Sequence, residues 1–374
     1  MTIYIYYAVF FLFQLCFIIQ LYYLLLVQKK INTYQPNNQD LSEVNFPLSV
    51  IICARNEAKN LAQYLPFILT QKYPDFEVIV VNDCSSDDSE DILRTFQNQY
   101  PNLKVVKIEE HPRYKTAKKF AVTLGIKAAS HEILIFTDAD CKPVSENWLT
   151  LMASNYANPA VEIVLGYSPY QPKAGFLNKL IRYETFQTAI NYFSFALNGM
   201  PYMGVGRNLS YKKSLFFKGK GFAAHMHIPS GDDDLFVNQN ATPDNVGLEI
   251  RPDAQVWSDP KSTWMSYWKQ KLRHLGAGKV YKKQHQINLG LQAASSFAFY
   301  LLLVVCLILK IELIAVGILF LLRLIAQFFA YYKAMDTLRT KELRWLLLFL
   351  DPFHYIYLTV LTVAGLFRKK TTWK

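Results

Sequence analysis

Two aspartates stand two positions apart at the end of an apolar run. Asp138 and Asp140 belong to the stretch FTDADCK, which follows the apolar residues of EILI. Side chains at positions i and i+2 of an extended chain point to the same side, so both carboxylates can reach one object. Together with water and phosphate oxygens they suit a hard divalent cation, Mg²⁺ or Mn²⁺. The alternative is a solvated strand end at which one aspartate caps the next helix.

Polar side chains also follow two earlier apolar runs, which begin at Leu48 and Phe76. These polar residues are Arg55, Asn56, Glu57, Asn82 and Asp83. Ligands of open α/β sheets bind beyond the carboxyl ends of the strands, so these residues are candidates for the same site as the aspartate pair. No Gly-x-Gly-x-x-Gly pattern follows the first run, which argues against a dinucleotide fingerprint there.

Residues 46–258 alternate strand-like and helix-like patterns. The short β-branched runs predict strands at 48–54, 76–83, 103–108, 132–140 and 161–167. The intervening segments predict helices near 58–70, 86–99, 116–129 and 145–156. This alternation is typical of an α/β domain with a doubly wound, mostly parallel sheet.

The charge is divided unevenly along the chain. Residues 1–258 carry 23 Lys and Arg against 24 Asp and Glu, whereas residues 259–374 carry 17 against 5. The basic excess therefore accompanies the hydrophobic last third, where attraction to anionic lipid explains it better than a phosphate backbone does. With 52% hydrophobic residues, part of the surface is expected to face a bilayer, and nucleic acid is not an expected partner.

The first 30 residues predict an N-terminal transmembrane anchor. Ile3 to Val27 contains no charge and is long enough to cross a bilayer, and Lys29 and Lys30 follow it. The lysine pair predicts that the following domain is cytoplasmic. A signal peptide is the alternative, but the chain shows neither a basic region before the apolar run nor a small-residue cleavage site after it.

Residues 289–374 predict two or three further spans, and hence an integral protein of the plasma membrane. The apolar stretches are Leu289–Leu309, Leu313–Tyr332 and Trp345–Phe367. The third contains Asp351 and Pro352 and has basic residues on both flanks, which conflicts with a simple crossing and predicts a re-entrant or broken helix. Arg323 lies within the second stretch and is a candidate partner of Asp351.

Seven stretches of the chain occur in a characteristic order and spacing: VIICARNEAKNL, VIVVNDCSSDDS, AKKFAVTLGI, ILIFTDADCKP, GVGRNLSYKK, SGDDDLF and QKLRH. Together they resemble the GT-A catalytic domain of family 2 glycosyltransferases. The resemblance covers about residues 46–285 and is greatest to membrane-bound members related to ceramide glucosyltransferases and polysaccharide synthases. It implies transfer of a hexosyl group from a nucleotide-diphosphate sugar, with inversion.

The resemblance also implies roles for the strand-end residues. Glu57 and Asp83 match residues that hold the base and ribose of the donor, and Arg55 and Asn56 are assigned to the same donor site. Lys118 matches a basic residue whose charge suits a phosphate.

Asp138 and Asp140 match the DxD motif, in which Asp140 binds the metal and Asp138 shares it or reaches the ribose. Aligning SGDDDLF on its leucine places the family's base aspartate at Asp232. Gly231 replaces the glutamate of the family pattern, so Asp233 is a second candidate. Such a carboxylate takes the proton from the acceptor hydroxyl.

The segment 259–288 predicts an amphipathic helix in the membrane interface, because two Trp and several basic residues share it. Gln270 and Arg273 lie on one face and match the family's Gln-x-x-Arg-Trp motif, in which the arginine grips the diphosphate. His274 replaces the tryptophan, which in the family lies at the acceptor end. This departure favours a single transfer to a lipid or lipid-linked acceptor.

Four alternatives remain. A processive polysaccharide synthase would release polymer, and a sugar nucleotidyltransferase would release pyrophosphate. A non-catalytic protein of the same fold would lack some of the carboxylates. His225 and His227, close to the aspartate run, could instead belong to a metal-dependent hydrolase.

Overall fold

A central sheet and twelve helices organise the chain in the computed structural model, which describes residues 2–36, 41, 44–109, 118–228 and 230–367. The strands are β1 Leu48–Ala54, β2 Phe76–Asp83, β3 Leu103–Ile108, β4 Ile133–Asp138, β5 Cys141–Pro143, β6 Ile163–Leu165, β7 Leu209–Lys212, β8 Val246–Leu248 and β9 Val256–Ser258. The helices are α1 Thr2–Leu21, α2 Ala58–Leu69, α3 Ser89–Gln99, α4 Lys118–Ala128, α5 Trp148–Ala153, α6 Phe176–Leu197, α7 Lys213–Lys218, α8 Asp234–Asn240, α9 Trp264–Gly278, α10 Lys283–Leu309, α11 Leu313–Thr337 and α12 Leu347–Leu366.

Seven strands form one sheet in the order β3-β2-β1-β4-β7-β6-β8, and β5 pairs with β9 in a separate ribbon. The first four strands of the sheet are parallel, whereas β7 runs antiparallel to both β4 and β6. Helices cover both faces, and β1 and β2 are therefore almost continuous apolar runs. The predicted α/β fold with a mostly parallel sheet is confirmed.

The register of the parallel strands brings the predicted site to one edge. Ala54 of β1 lies opposite Asn82 of β2, and Cys53 lies opposite Asp138 of β4. The loops that follow β1, β2 and β4 therefore leave the sheet side by side. The polar residues at these strand ends converge for this reason.

Two predicted strands are shorter than expected. The strand predicted at 161–167 is Ile163–Leu165, and the strand predicted at 132–140 ends at Asp138, with Ala139 and Asp140 in a turn. The two aspartates therefore do not share a side of one extended strand. The chain reverses towards β5 at this point, and the turn rather than the pleat sets the direction of Asp140. The first two residues of the helix predicted at 116–129 lie outside the described residues.

Four helical segments are long and apolar enough to cross a membrane, by length and composition. They are Tyr4–Asn32, Lys283–Leu309, Leu313–Thr337 and Lys341–Gly365. The first packs against the second, with the rings of Phe13 and Phe299 stacked 4.8 Å apart. One N-terminal and three C-terminal apolar helices fit the predicted architecture; the division at 1–30, 46–258, 259–288 and 289–374 stays a prediction.

The last apolar segment is not broken, and the prediction of a break is wrong. Helix α12 continues from Leu347 to Leu366 through Pro352. The proline lies in the second turn, so its ring removes one backbone hydrogen bond near the start of the helix. Contacts with α6, α9 and α10 hold the helix together across this position.

Asp351 is buried at the meeting point of four helices, and its predicted pairing with Arg323 is confirmed. Nη2 of Arg323 lies 2.8 Å from Oδ2 of Asp351. The hydroxyls of Tyr183 in α6 and Tyr300 in α10 donate to the same carboxylate at 2.5 Å. One carboxylate therefore joins α6, α10 and α11 to α12.

Replacing Asp351 by alanine leaves Arg323 buried without its carboxylate, and we expect the free energy of unfolding to fall by about 3 kcal/mol or more. Thermal unfolding of detergent-purified protein measures the change. The double variant Arg323→Leu/Asp351→Leu removes both charges and should recover much of the loss. Equal destabilisation of the single and double variants would contradict this account.

Candidate active site

A cavity of about 800 Å³ lies beyond the carboxyl ends of β1, β2 and β4. Helices α6 and α9 and the loops before β7 and α8 close its other sides. All residues that the sequence assigned to the site except Asn82 line the cavity. They are Arg55, Asn56, Glu57, Asp83, Lys118, Asp138, Asp140, Asp232, Asp233, Gln270 and Arg273.

Asn56 fixes the loop that follows β1. Its φ of 57° lies in the left-handed region, which asparagine tolerates better than most residues. Its side-chain oxygen accepts a hydrogen bond from the backbone N–H of Ser86 at 2.8 Å, and its own N–H donates to Ser85 Oγ at 3.0 Å. The loop after β1 is thus tied to the loop after β2, and Asn56 acts as a positioning residue.

Glu57, the next residue along the loop, is partly buried at the cavity wall. Asn60 donates to its carboxylate at 2.5 Å, and burial raises the pKa of Glu57 above its usual range. The carboxylate is therefore fixed in direction before any ligand enters.

Lys118 joins the carboxylates of two separate motifs. Its Nζ lies 3.1 Å from Oδ1 of Asp138 and 3.2 Å from Oδ2 of Asp232. Burial alone would lower the pKa of Lys118, but the two aspartates raise it well above its usual range. Burial acts to raise the pKa of Asp138, and Lys118 reverses this, so that the pKa is lowered. The lysine is therefore held as a cation between Asp138 and Asp232.

Helix α4 places Lys118 at this point because it lies close to the sheet. A Cβ atom at Gly125 would come within 2.7 Å of Cγ2 of Ile51 in β1. Only glycine permits this approach without a shift of the helix.

Asp140 differs from Asp138 in the direction of its pKa shift. Burial, together with the nearby Asp138, raises the pKa of Asp140, and Arg207 acts in the opposite direction. The guanidinium of Arg207 lies 4.3 Å from the ring centroid of Tyr170. Its Nη1 is buried and has no hydrogen-bond partner among the described residues. An arginine donor therefore remains available beside the aspartate pair.

The aspartate pair fits a divalent cation that takes its other ligands from a bound molecule. Asp138 and Asp140 offer oxygen ligands, and a cation would relieve the unfavourable burial of Asp140. Within the described part of the chain, no three His, Cys, Asp or Glu residues are grouped to hold a metal. His225 and His227 therefore belong to no such group among the described residues.

The three adjacent aspartates have different environments. Asp233 accepts hydrogen bonds from the backbone N–H groups of Gly206 and Asp234, at 2.7 and 2.8 Å, and so caps α8. Asp234 accepts a hydrogen bond from the hydroxyl of Tyr281 at 2.7 Å. Asp232 instead faces Lys118, with 14% of its side chain exposed. Of the two candidate bases, Asp233 therefore has both carboxylate oxygens hydrogen-bonded to backbone N–H groups.

Gly231 explains the local departure from the family pattern. Its φ is 93°, and an added Cβ would come within 2.4 Å of Leu235 Cδ1. A glutamate at this position would be strained, so the chain needs glycine here.

Helix α9 brings its polar face to the cavity. Thr263 caps its start by accepting from the N–H of Ser266 at 3.2 Å. Gln270 donates to the hydroxyl of Tyr170 at 3.5 Å, and the charge of Arg273 acts to lower the pKa of Asp138. The predicted pair therefore lines the cavity, and Tyr267 and Trp268 of α9 pack on Tyr357 of α12.

Several cavity residues were not predicted from the sequence. They are Tyr170, Glu184, Thr185, Thr188, Arg207, Lys261, Lys271, Tyr281, Leu358 and Leu361. The stretch 183–195 is rich in aromatic residues, which is typical of a core helix. Its polar positions at 184, 185 and 188 share one helical face, and this spacing was the signal to follow.

Profiles of two known families match this chain. The profile described as glycosyl transferase family group 2 matches residues 133–367, more than half of the chain, and the profile of glycosyl transferase family 2 matches residues 49–216. The chain belongs to the family 2 glycosyltransferases. The family predicted from the seven stretches is confirmed.

Three relatives show how far the similarity extends. Glycosyltransferase AglE of Haloferax volcanii is 34% identical over 37% of this chain and 44% of its own length. Probable glycosyltransferase YdaM of Bacillus subtilis is 27% identical over 66% of this chain and 57% of its own. Poly-beta-1,6-N-acetyl-D-glucosamine synthase of Staphylococcus epidermidis is 25% identical over 69% and 60%. The chain thus spans about half the length of these relatives.

A solved structure matches nearly the whole chain. Mannosyltransferase PcManGT from Pyrobaculum calidifontis, in complex with GDP-Man and Mn²⁺, superposes with a TM-score of 0.64. The match covers 98% of this chain and 99% of that one at 18% identity. At this identity the likeness shows the fold, and it confirms the GT-A prediction.

The acidic run makes stability depend on pH. Burial, together with the neighbouring Asp233, raises the pKa of Asp234 to about 7. In the unfolded chain an aspartate titrates near pH ~3.9. The folded protein therefore holds a proton that the unfolded chain has released, and this contribution to stability is lost as pH rises from about 4 to about 7.

The Asp234→Asn variant cannot ionise at this position. We expect its melting temperature to fall less than that of the wild type between about pH 5 and about pH 8. Asp244→Asn, which changes an exposed aspartate on the loop before β8, is the matched control and should follow the wild type. Parallel curves for all three proteins would count against the assignment of a raised pKa to Asp234.

Proposed function

We propose that this chain is a membrane-anchored, metal-dependent, inverting hexosyltransferase. It takes the sugar from a nucleotide-diphosphate donor and passes it to a lipid or lipid-linked acceptor at the cytoplasmic face of the plasma membrane. The observation that carries the proposal is the position of Lys118 between Asp138 and Asp232 in one cavity. A donor site and a base site are thereby a few ångströms apart.

The donor is assigned to the sheet side of the cavity. Asp83 and Glu57 accept hydrogen bonds from the ribose and the base, since a fixed carboxylate suits hydroxyl and N–H donors. The diphosphate lies towards Lys118, Arg207 and Arg273, cations of the cavity whose charges act on Asp138. The structure of the mannosyltransferase PcManGT, which holds GDP-Man and Mn²⁺, supports a nucleotide-sugar donor.

Asp138 and Asp140 would hold the Mg²⁺ or Mn²⁺ ion against the diphosphate. The bound cation supplies charge neutralisation for the leaving diphosphate. Arg207 and Arg273 add hydrogen-bond donors with fixed geometry on the same phosphate oxygens. Together these residues stabilise the charge that develops as the anomeric carbon–oxygen bond breaks.

Asp232 is the proposed base. It accepts the proton of the acceptor hydroxyl, while the hydroxyl oxygen forms the new bond to the anomeric carbon and the electron pair of the old bond leaves with the diphosphate. Attack from the side opposite the diphosphate inverts the configuration. Asp233 is the weaker candidate because it accepts hydrogen bonds from Gly206 and Asp234.

A processive polysaccharide synthase is the second candidate. The 25% identity to the poly-beta-1,6-N-acetyl-D-glucosamine synthase over 69% of this chain favours it. His274, which lines the cavity in place of the family's tryptophan, favours a single transfer. A sugar nucleotidyltransferase has less support, because it would need neither Asp232 nor α9.

The decisive assay measures nucleoside diphosphate release from UDP-, GDP- and dTDP-sugars, with Mn²⁺ and a membrane lipid extract. We expect one donor to be used by the wild type, and Asp140→Ala and Asp232→Asn each to lose about 100-fold or more in rate. The exposed Asp244→Asn is the matched control and should retain full activity. Chelation of the metal should abolish release and a return of Mn²⁺ should restore it.

Analysis of the product separates the candidates. One sugar on a lipid, with the anomeric configuration opposite to that of the donor by NMR, agrees with the proposal. Long polymer would establish the processive alternative instead. Unchanged rates in both variants, or no donor turned over by the wild type, would contradict the proposed function.

A further inference from the structure

We propose that Glu184 and Lys271 form an acceptor-binding subsite for a neutral, hydroxyl-bearing head group with an apolar tail. The inference rests on the proposed function and deepens it by naming the acceptor class and the residues that hold it. Glu184 lies on α6 and Lys271 on α9, and both line the cavity that contains Asp232.

Among the described residues, only one oxygen of the Glu184 carboxylate has a partner. Its Oε1 lies 2.6 Å from Nζ of Lys271, and the residue is 7% exposed. Its Oε2 is buried and accepts no hydrogen bond from any described residue. Buried carboxylate oxygens are normally hydrogen-bonded, so this oxygen needs a donor that the described chain does not supply. A hydroxyl of a bound molecule meets this requirement.

Other polar atoms around this ion pair are also unsatisfied. Nζ of Lys271 lies 5.5 Å from the ring centroid of Tyr267, whose ring stacks on Tyr357 of α12. The hydroxyls of both tyrosines are buried without a hydrogen-bond partner in the described part of the chain. Several adjacent unsatisfied groups indicate a polar pocket rather than one poorly placed side chain.

The wall beside this pocket is apolar. Leu358 and Leu361 of α12 line the same cavity, and Leu361 belongs to a cluster with residues of α6 and α9. Helix α12 lies in a segment long and apolar enough to cross a membrane. A hydrocarbon chain attached to the head group would therefore continue along α12 towards the bilayer.

The charges determine the class of head group. Glu184 and Lys271 neutralise each other, so the subsite offers no net positive charge for a phosphate. Asp232, as base, has a role only for a hydroxyl nucleophile, because the oxygen of an ionised phosphate attacks without a base. A sugar or glycerol head group satisfies both conditions, whereas a lipid phosphate that attacks through its own phosphate oxygen satisfies neither.

Two measurements in lipid nanodiscs, free of glycoside detergent, test the subsite. The first uses octyl β-glucoside and 1-octylglycerol, each with a diazirine on the tail, and maps the labelled peptides by mass spectrometry. We expect at least one of the probes to label α12 near Leu358 and Leu361, and Glu184→Gln to reduce this label. Tail-less glucose and glycerol in excess should compete poorly, which separates membrane amphiphiles from soluble polyols.

The second measurement compares kinetic constants with the donor found above. With the octyl probe that is labelled, Glu184→Gln should raise the acceptor KM about tenfold, as expected for one hydrogen bond to a charged group. The donor KM should stay within about twofold, because the donor lies at the other end of the cavity. The matched control is Glu342→Gln, since Glu342 pairs with the buried Arg182 of the same α6 and neither is among the described cavity residues.

The outcomes separate the subsite from the proposed function. Labelling that depends on Glu184 in a protein that turns over no donor would retain the subsite and reject the glycosyl transfer. Transfer activity in which Glu184→Gln leaves both the label and the acceptor KM at wild-type values would overturn the subsite alone. Equal losses of acceptor and donor affinity, with a lowered melting temperature, would show that the ion pair is only a structural link between α6 and α9.

Discussion

Concentrated negative charge is the constraint on which the cavity depends. Parallel strands end at one edge of the sheet, and the loops that follow them bring Asp83, Asp138 and Asp140 into one space. A site for a polyanionic donor cannot be built from carboxylates alone, because they repel the donor and one another. The cations come from elements outside this strand edge: Lys118 from α4, Arg207 from the loop before β7, and Arg273 from α9.

The membrane helices take part in this arrangement through α9, the helix that carries Gln270 and Arg273. Its position is set by packing on α12, through the stacked rings of Tyr267 and Tyr357 and through contacts of Trp268. Helix α12 is in turn fixed by Asp351, which joins it to α6, α10 and α11. The positions of Gln270 and Arg273 therefore depend on buried polar contacts near the apolar helices. The membrane segment is more than an anchor, since it orients half of the cavity wall.

The sequence predicted the elements better than it predicted their contacts. The bounds of β1, β2 and β3 agree with the expected strands, because a strand covered on both faces is a continuous apolar run. The residues at the strand ends were found for the same reason. The direction of the Asp140 side chain was not predicted, because a turn after a strand has no sequence periodicity from which its direction could be read. The basic flanks of the last apolar segment suggested a re-entrant or broken helix, but flanking charge does not report helix continuity, and α12 runs without a break from Leu347 to Leu366.

Contacts between site residues that are far apart in the sequence were even harder to predict. Lys118 and Asp232 are far apart in sequence, and no local pattern shows that a lysine at the start of α4 contacts both Asp138 and Asp232. Asp232 and Asp233 are adjacent and chemically identical, so only their contacts in the fold distinguish them: Asp233 accepts hydrogen bonds from Gly206 and Asp234, whereas Asp232 faces Lys118. The polar positions of α6 were hidden among aromatic residues that do form core. The spacing of these polar positions could have revealed that they share one helical face, but not that this face lines the cavity.

The cavity has two chemically different ends, and the difference follows from which elements build them. Strand ends, α4, the loop before β7 and Arg273 of α9 supply charge at one end, whereas α6, α12 and the rest of α9 supply a neutral ion pair and apolar side chains at the other. Asp232 lines the cavity that both ends share, and Lys118 connects it to the charged end. A donor rich in phosphate and an amphiphilic acceptor would therefore each be excluded from the other's end by desolvation cost. They would meet at the base from opposite directions, which is the geometry that inversion at a carbon centre requires.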